Sequence, residues 1–380
     1  TRVPQVKNNN GTISYEHPYS GKRADKHMKH LFIINPAAGS YNRTDEYSEI
    51  IHKVCRARKE EYTILVSTAP GEAIRISRKA AQLTQEQGEQ LRIYACGGDG
   101  TLNEVVNGAA GFDNVAVTVF SGGSGNDFVK IFDEPKAFFD LHRLMDAEEA
   151  EFDLIRCNDE LSLNICSVGL DARIASDVAS YKRMPLLHGF RAYAASTAVN
   201  VFRGISEHYV VEINGETIDD EFTFVCVCSG RYYGGGFNPI PEADPSDGML
   251  DVLLVKKVSR GQVPFLIGKY KGGRHRELGD VARYIKTDRV KVLCDKPNPV
   301  NIDGEIRMAK TVEMSLAKEK IRFFYPKGLP FLRSILALCG VVSASLLPSI
   351  PKTGTFTSIV FLPYLESGPA SKYGNYMRIH

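Results

Sequence analysis

From Leu31 onward the chain alternates short, largely apolar runs with longer amphipathic stretches. The runs are LFII (31–34), EYTILV (61–66), RIYAC (92–96) and VAVTVF (115–120). Strands apolar on both faces belong to a buried parallel sheet, because a sheet with one wet face would alternate. Between the first two runs, Tyr47, Ile50, Ile51, Val54 and Cys55 recur at helical spacing, with Thr44 or Asp45 placed to cap the helix start. A second helix is predicted from about Glu72 until Gly88 stops it. Strand-helix units of about 30 residues predict a parallel α/β domain over 28–150.

After residue 151 the rhythm changes to short strands: FDLIRC, LSLNICSV, HYVVEI, FTFVCVCS, MLDVLLV, RVKVLC, VNID and KIRFFY, with a hairpin turn at Asn214-Gly215. Helices interrupt them at about 171–182 and 190–203. This predicts a β-rich second domain over 151–330, a sandwich whose final strands return to the first domain, with the substrate in the cleft between the two. Residues 1–27 are polar and without periodicity and are read as a tail, as is 331–380, of unknown role. Within the latter, Ser334–Pro351 carries no charge. It only just reaches spanning length and contains Pro348, so a docked segment, a surface anchor and a membrane span all remain open.

Composition narrows the class. A chain of 380 residues with 43% hydrophobic and 24% charged residues is globular and long enough for two cores. Its 47 basic and 45 acidic residues nearly cancel, which argues against a nucleic-acid partner. Eight cysteines lack zinc-type spacing, and several sit in apolar runs such as FVCVC. They read as reduced core thiols of a cytoplasmic protein, and the start of the chain lacks a secretory layout.

The strongest chemical signal is Gly97-Gly98-Asp99-Gly100-Thr101, directly after RIYAC and before the helical LNEVVNGAA. Glycines let the backbone approach a phosphate, and the following helix start offers it free amides. Asp99 among such amides would repel a phosphate unless it handles a cation, so a divalent metal is implied. Asn35-Pro36-Ala37-Ala38-Gly39-Ser40 and the loop 121–128 (SGGSGNDF) follow the first and fourth strands. In an open parallel sheet all three loops converge at the carboxyl edge, where ligands bind. NIDGE (301–305) adds two carboxylates around a glycine, suited to a general base or to an ordinary Asp-Gly turn.

With NPAAG (35–39), GGDGTLNEVVNG (97–108), GSGNDF (123–128), SVGLDA (167–172), DGMLDV (247–252) and NIDGE, the sequence resembles the soluble diacylglycerol kinase and sphingosine kinase-like lipid kinases over about 28–330. GGDGT alone is also similar to NAD kinases and phosphofructokinases. The combination is what is specific. The resemblance implies a Rossmann-like α/β nucleotide-binding domain, a β-sandwich domain, and ATP- and Mg2+-dependent phosphorylation of a lipid hydroxyl, diacylglycerol first, at a membrane surface. It implies an ATP site lined by Asn35, Pro36, Ala37, Ala38, Gly39, Thr68, Gly97, Gly98, Asp99, Gly100, Thr101, Asn103 and Ser124, with Lys130 as a basic group. Asp99 and Asp127 would organise phosphates and magnesium, with Asp153 joining through water. Asp247 with the main-chain oxygens of Asp244 and Met249 would hold a second, structural magnesium. Glu305 or Asp303 would take the hydroxyl proton. Related proteins often dimerise, so a homodimer is a further expectation.

Related sequences often carry a basic residue right after the NPxxG loop; here Ser40 stands there and Arg43 is the nearest substitute. A basic run, Lys256 to Arg283, interleaved with Val263, Phe265 and Tyr270, would suit either an anionic membrane at the inner face or a solvated helix face. The rival readings are a kinase of another lipid alcohol (a sphingoid base or phosphatidylglycerol), an NAD kinase, and a catalytically silent nucleotide- or lipid-binding regulator.

Overall fold

The computed structural model describes residues 5–7, 13–15, 28–39, 41–121, 125–181 and 190–330. In chain order the first half runs β1 (Gln5–Lys7), β2 (Ile13–Tyr15), β3 (Met28–Ile34), α1 (Thr44–Arg58), β4 (Tyr62–Val66), α2 (Glu72–Glu86), β5 (Gln90–Gly97), α3 (Asp99–Ala109), β6 (Val115–Ser121) and α4 (Leu141–Met145). The second half adds β7 (Ala147–Cys157), β8 (Glu160–Ser162), β9 (Ile165–Gly169), α5 (Leu170–Tyr181), α6 (Phe190–Arg203), β10 (Glu207–Ile213), β11 (Glu216–Cys228) and β12 (Leu250–Lys256). It ends with α7 (Val263–Lys271), β13 (Ala282–Thr287), β14 (Arg289–Ile302) and β15 (Glu305–Pro326).

The four apolar runs pair in parallel in the order β4-β3-β5-β6. Phe32, Ile33, Ile34 and Ile93 to Cys96 are fully buried, as strands covered on both faces require. Register does the positioning: Ile34 lies opposite both Val66 and Cys96, and Gly97 opposite Ser121. The loops after these strands therefore leave the sheet at one level.

The second half is antiparallel and β-rich. Along β11, Phe222, Val225 and Val227 enter one apolar cluster while Phe224, Cys226 and Cys228 enter another. A strand between two cores must be apolar at every position, which is why FVCVC (224–228) does not alternate. The seven described cysteines are buried and unbridged. The 22-residue β15 joins the parallel strands to the antiparallel ones in one continuous sheet: it pairs antiparallel with β14 and β7, and at Arg322 and Phe323 it runs parallel to β6.

Several local expectations are corrected. The α1 N-cap is Arg43 rather than Thr44 or Asp45, with no side-chain cap; the Asn42 side-chain oxygen instead accepts from the Thr44 amide at 2.9 Å. LSLNICSV breaks into β8 and β9 at Leu163-Asn164, and RVKVLC and VNID join as β14, with a register shift between Leu293 and Asn298. Pro297, inside that shift, has no N–H for the ladder. β13 has no counterpart among the predicted strands, and α7 lies within the Lys256–Arg283 run, one reading of which is a helix face. In residues 1–27, β1 and β2 pair with each other, and β2 pairs antiparallel with β4. Among the described residues no helix is long and apolar enough to cross a membrane. Ser334–Pro351 lies outside them.

Candidate active site

The first turn of α3 begins inside the glycine loop, three residues before the predicted start at Leu102, with Gly98 as its N-cap. Its leading amides have no acceptor within the helix and are available to an anion. Thr101 folds back beneath the loop. A Cβ on Gly97 would lie 2.3 Å from the Thr101 hydroxyl oxygen, so only glycine fits there. Asn35 Nδ2 donates to that same hydroxyl at 3.1 Å, while Asn35 Oδ1 accepts from the Ala37 amide at 2.9 Å. One asparagine thus shapes its own loop and ties it to the glycine loop.

These loops border a cleft of about 810 Å³, lined by Asn35 to Gly39, Thr68, Gly98 to Thr101, Asn103, Gly125 and Glu305. Gly97 is not among the lining residues, and Ser40 and Ser124 fall outside the described residues. Thr68 gives its amide and hydroxyl to Glu72, at 2.6 and 2.7 Å. Sequence reasoning missed Glu104, Glu160 and Arg307, which also line the cleft. Glu104 stands inside the quoted motif GGDGTLNEVVNG; it accepts the Gly71 and Ala73 amides at 2.9 and 3.1 Å and so caps α2. Among the lining residues there are four carboxylates and one guanidinium.

Asp99 Oδ1 accepts from the Asp127 amide at 2.6 Å. Burial, and then the facing Asp127 carboxylate, push Asp99 up to about 6. Asp127 lies outside the cleft lining and is held by Lys130 Nζ and by the Gly235 amide, the latter at 2.8 Å. Lys130 is therefore spent on Asp127. Arg43 is committed elsewhere as well, forked onto Glu46 with Nε at 2.8 Å and stacked over Tyr47.

Asp303 and Gly304 form a two-residue turn between β14 and β15 with φ of 49° and 98°. Asp303 Oδ1 accepts from Ser162 Oγ (2.7 Å), the Asn164 amide (3.0 Å) and the Ile165 amide (2.9 Å). Its Oδ2 accepts from the Leu163 amide (2.7 Å) and Asn103 Nδ2 (3.1 Å). Burial pushes this carboxyl up and the donors oppose it. Glu305, two residues on, is over half exposed and stands against the helix start: a Cβ on Gly100 would be 3.9 Å from its Oε1.

A model of the "Diacylglycerol kinase catalytic domain" matches residues 29–157, and one of the "YegS C-terminal NAD kinase beta sandwich-like domain" matches 164–324. The chain belongs to the diacylglycerol kinase-type family of lipid kinases. A Staphylococcus carnosus (strain TM300) protein described as a "Putative lipid kinase" is 26% identical over 302 residues, covering 78% of this chain and 96% of the relative. A Staphylococcus aureus (strain JH9) protein with a similar description is 24% identical over 60% of this chain and 75% of the relative. A crystal structure described as "a putative diacylglycerol kinase from Bacillus anthracis str. Sterne" shares the fold with a TM-score of 0.61, at 22% identity over 80% of this chain and 99% of that one.

In this member of the family the loop 244–249 wraps around Asp153, away from the cleft. The Asp153 amide donates to Pro245 O at 2.6 Å, Asp153 Oδ2 accepts from the Gly248 amide at 2.8 Å, and Lys320 Nζ lies 2.9 Å from Oδ1. Asp247 accepts from the Met249 amide at 3.0 Å and is paired with Lys286. The Asp244 carboxylate serves its own turn, accepting from the Ser246 amide and hydroxyl. The oxygens offered here by Asp247, Asp244 and Met249 are the hard donors magnesium takes. Two lysines already balance the neighbouring carboxylates. Among the described residues no group of three or more His, Cys, Asp or Glu side chains is assembled to hold a metal.

Proposed function

We propose that this chain transfers the γ-phosphate of ATP to a lipid hydroxyl at a membrane surface, with diacylglycerol as acceptor and phosphatidic acid as product. The observation that carries the reading is the position of Glu305. A half-exposed carboxylate, 3.8 Å from Arg307 Nη1, stands at the start of α3, whose leading amides are open to an anion, within one cleft of the volume expected for a small-molecule site, roughly 300–1,000 Å³. Phosphoryl transfer needs little more than an in-line alcohol, a base near its proton and neutralised phosphate charge.

Glu305 is the base in this reading, and Asp303 is not. Every direction around the Asp303 carboxylate is already filled by a donor, so taking up a proton would cost it a bond. Instead it pins the turn that carries Glu305 to the 162–165 loop and to α3. The glycine loop amides and the Asn35 loop would hold the phosphates. Four carboxylates against one guanidinium make the cleft hostile to a bare polyphosphate, so ATP would enter with a cation. Asp99 and Asp127 would hold magnesium at the loop, and Asp247 with the Asp244 and Met249 carbonyls would hold the structural one, with Asp153 behind it. When bound, magnesium supplies the charge neutralisation that the side chains lack.

The test is transfer of labelled γ-phosphate from ATP, with magnesium, to a lipid panel in mixed micelles, with NAD as the soluble control. Labelled phosphatidic acid is the expected result. Another labelled lipid would keep the reaction and change the acceptor; labelled NAD alone, or ATP binding without transfer to any acceptor, would overturn the reading.

A further inference from the structure

Arg307 is the one cation among the described residues that line the cleft. It lies two residues from Glu305 on β15, and side chains at that spacing share a strand face. Its Nη1 is 3.8 Å from Glu305 Oε2. The guanidinium is forked onto Glu160, with Nε to Oε1 at 2.7 Å and Nη2 to Oε2 at 2.9 Å, and Nη1 also reaches the Ile306 carbonyl at 3.2 Å. This leaves further N–H groups on Nη1 and Nη2 for a ligand. The other basic groups near the site are engaged: Lys130 by Asp127, and Arg43 by Glu46 and Tyr47.

We propose that Arg307 is the arginine of the nucleotide site: it contacts the terminal phosphate of ATP, giving up Glu160 to do so. The inference rests on the nucleotide reading of the cleft. A guanidinium fork that fits a carboxylate also fits a phosphate, and the partly exposed pair it makes with Glu160 is weak enough to be exchanged for a more highly charged partner. Its place beside Glu305 puts it at the acceptor end of the polyphosphate, where the transferred group sits. Glu160 then acts as a placeholder that keeps the arginine folded against the cleft wall until the nucleotide arrives.

The experiment is calorimetric binding of magnesium-ATP and magnesium-ADP, with no lipid present so that nothing turns over. The proteins are the unaltered chain, Arg307→Gln, Glu160→Gln and the double variant. Arg307→Gln is expected to weaken ATP by about tenfold while changing ADP by less than about twofold. Glu160→Gln is expected to tighten ATP, and this gain should vanish when Arg307 is already Gln. Equal losses for ATP and ADP, or a Glu160→Gln gain that persists without Arg307, would overturn the proposal and leave the nucleotide site standing. If the unaltered chain bound neither nucleotide, the reading beneath it would fall as well.

Discussion

Asp303 and Glu305 are two carboxylates of one short motif with opposite surroundings, and their variants should separate. Asp303→Asn turns an amide toward donors that need an acceptor; urea denaturation should show a loss of about 2–4 kcal/mol. Glu305→Gln touches no packed group, so stability should stay within about 0.5 kcal/mol while phosphate transfer falls at least about 100-fold. His30 supplies a different signal. It is buried, within 2.9 Å of the Tyr94 hydroxyl, and burial, reinforced by Arg92 and Arg58, pushes its imidazole down to about 3. The unfolded chain therefore binds a proton that the folded chain refuses. Stability present at neutral pH is lost as pH falls from 6.5 toward about 3, by roughly 1.4 kcal/mol per unit. Urea midpoints at about pH 7.5 and about pH 5 should converge in His30→Gln relative to the unaltered chain. None of this was legible in the sequence, where His30 is one of nine histidines and nothing local marks it as buried.

At the scale of elements, α3 explains why its motif continues so far past the glycine loop. Asn103 and Asn107 both donate to the Leu161 carbonyl, at 3.1 and 2.8 Å, and Asn107 also accepts the Leu161 amide at 2.9 Å. Gly108 faces α2, where a Cβ would fall 2.4 Å from the Ile74 carbonyl oxygen. Gly108→Ala must push the two helices apart, so a loss of about 1–3 kcal/mol in urea denaturation is expected. A raised KM for ATP should accompany it, because α3 also carries the phosphate loop. The spacing of glycines and asparagines is visible in the chain, but their partners, Ile74 and Leu161, belong to other elements. The loop's place at a strand end could be read because buried strands are apolar throughout; the split of β8 from β9 could not, because a brief departure from pairing leaves the apolar pattern intact.

For the whole molecule, the basic run of the second half is largely neutralised by its neighbours. Lys256 pairs with Asp220 (2.8 Å), Arg276 with Glu242 (2.8 Å), Arg283 with Glu216 (2.7 Å), Lys257 with Glu221, and Lys269 with Glu277. Phe202 and Phe265, in contrast, are 76% and 64% exposed. If the proposed acceptor lies in a bilayer, aromatic insertion rather than charge should hold the protein there. In vesicle sedimentation the bound fraction should change less than about twofold between about 0.1 and 0.5 M salt, and should fall when both phenylalanines become serine. The sequence by itself determined the alternating architecture, the three loops at one sheet edge and the family, because these depend on local periodicity and on motifs contiguous in the chain. Only the tertiary structure decided that Asp303 braces while Glu305 faces the cleft, that Arg43 and Lys130 are engaged elsewhere, and that Arg307 is the one cation among the described residues lining the cleft. Each of those outcomes depends on which distant donor or acceptor reaches a side chain first, and that is set by strand register and helix packing across the folded chain.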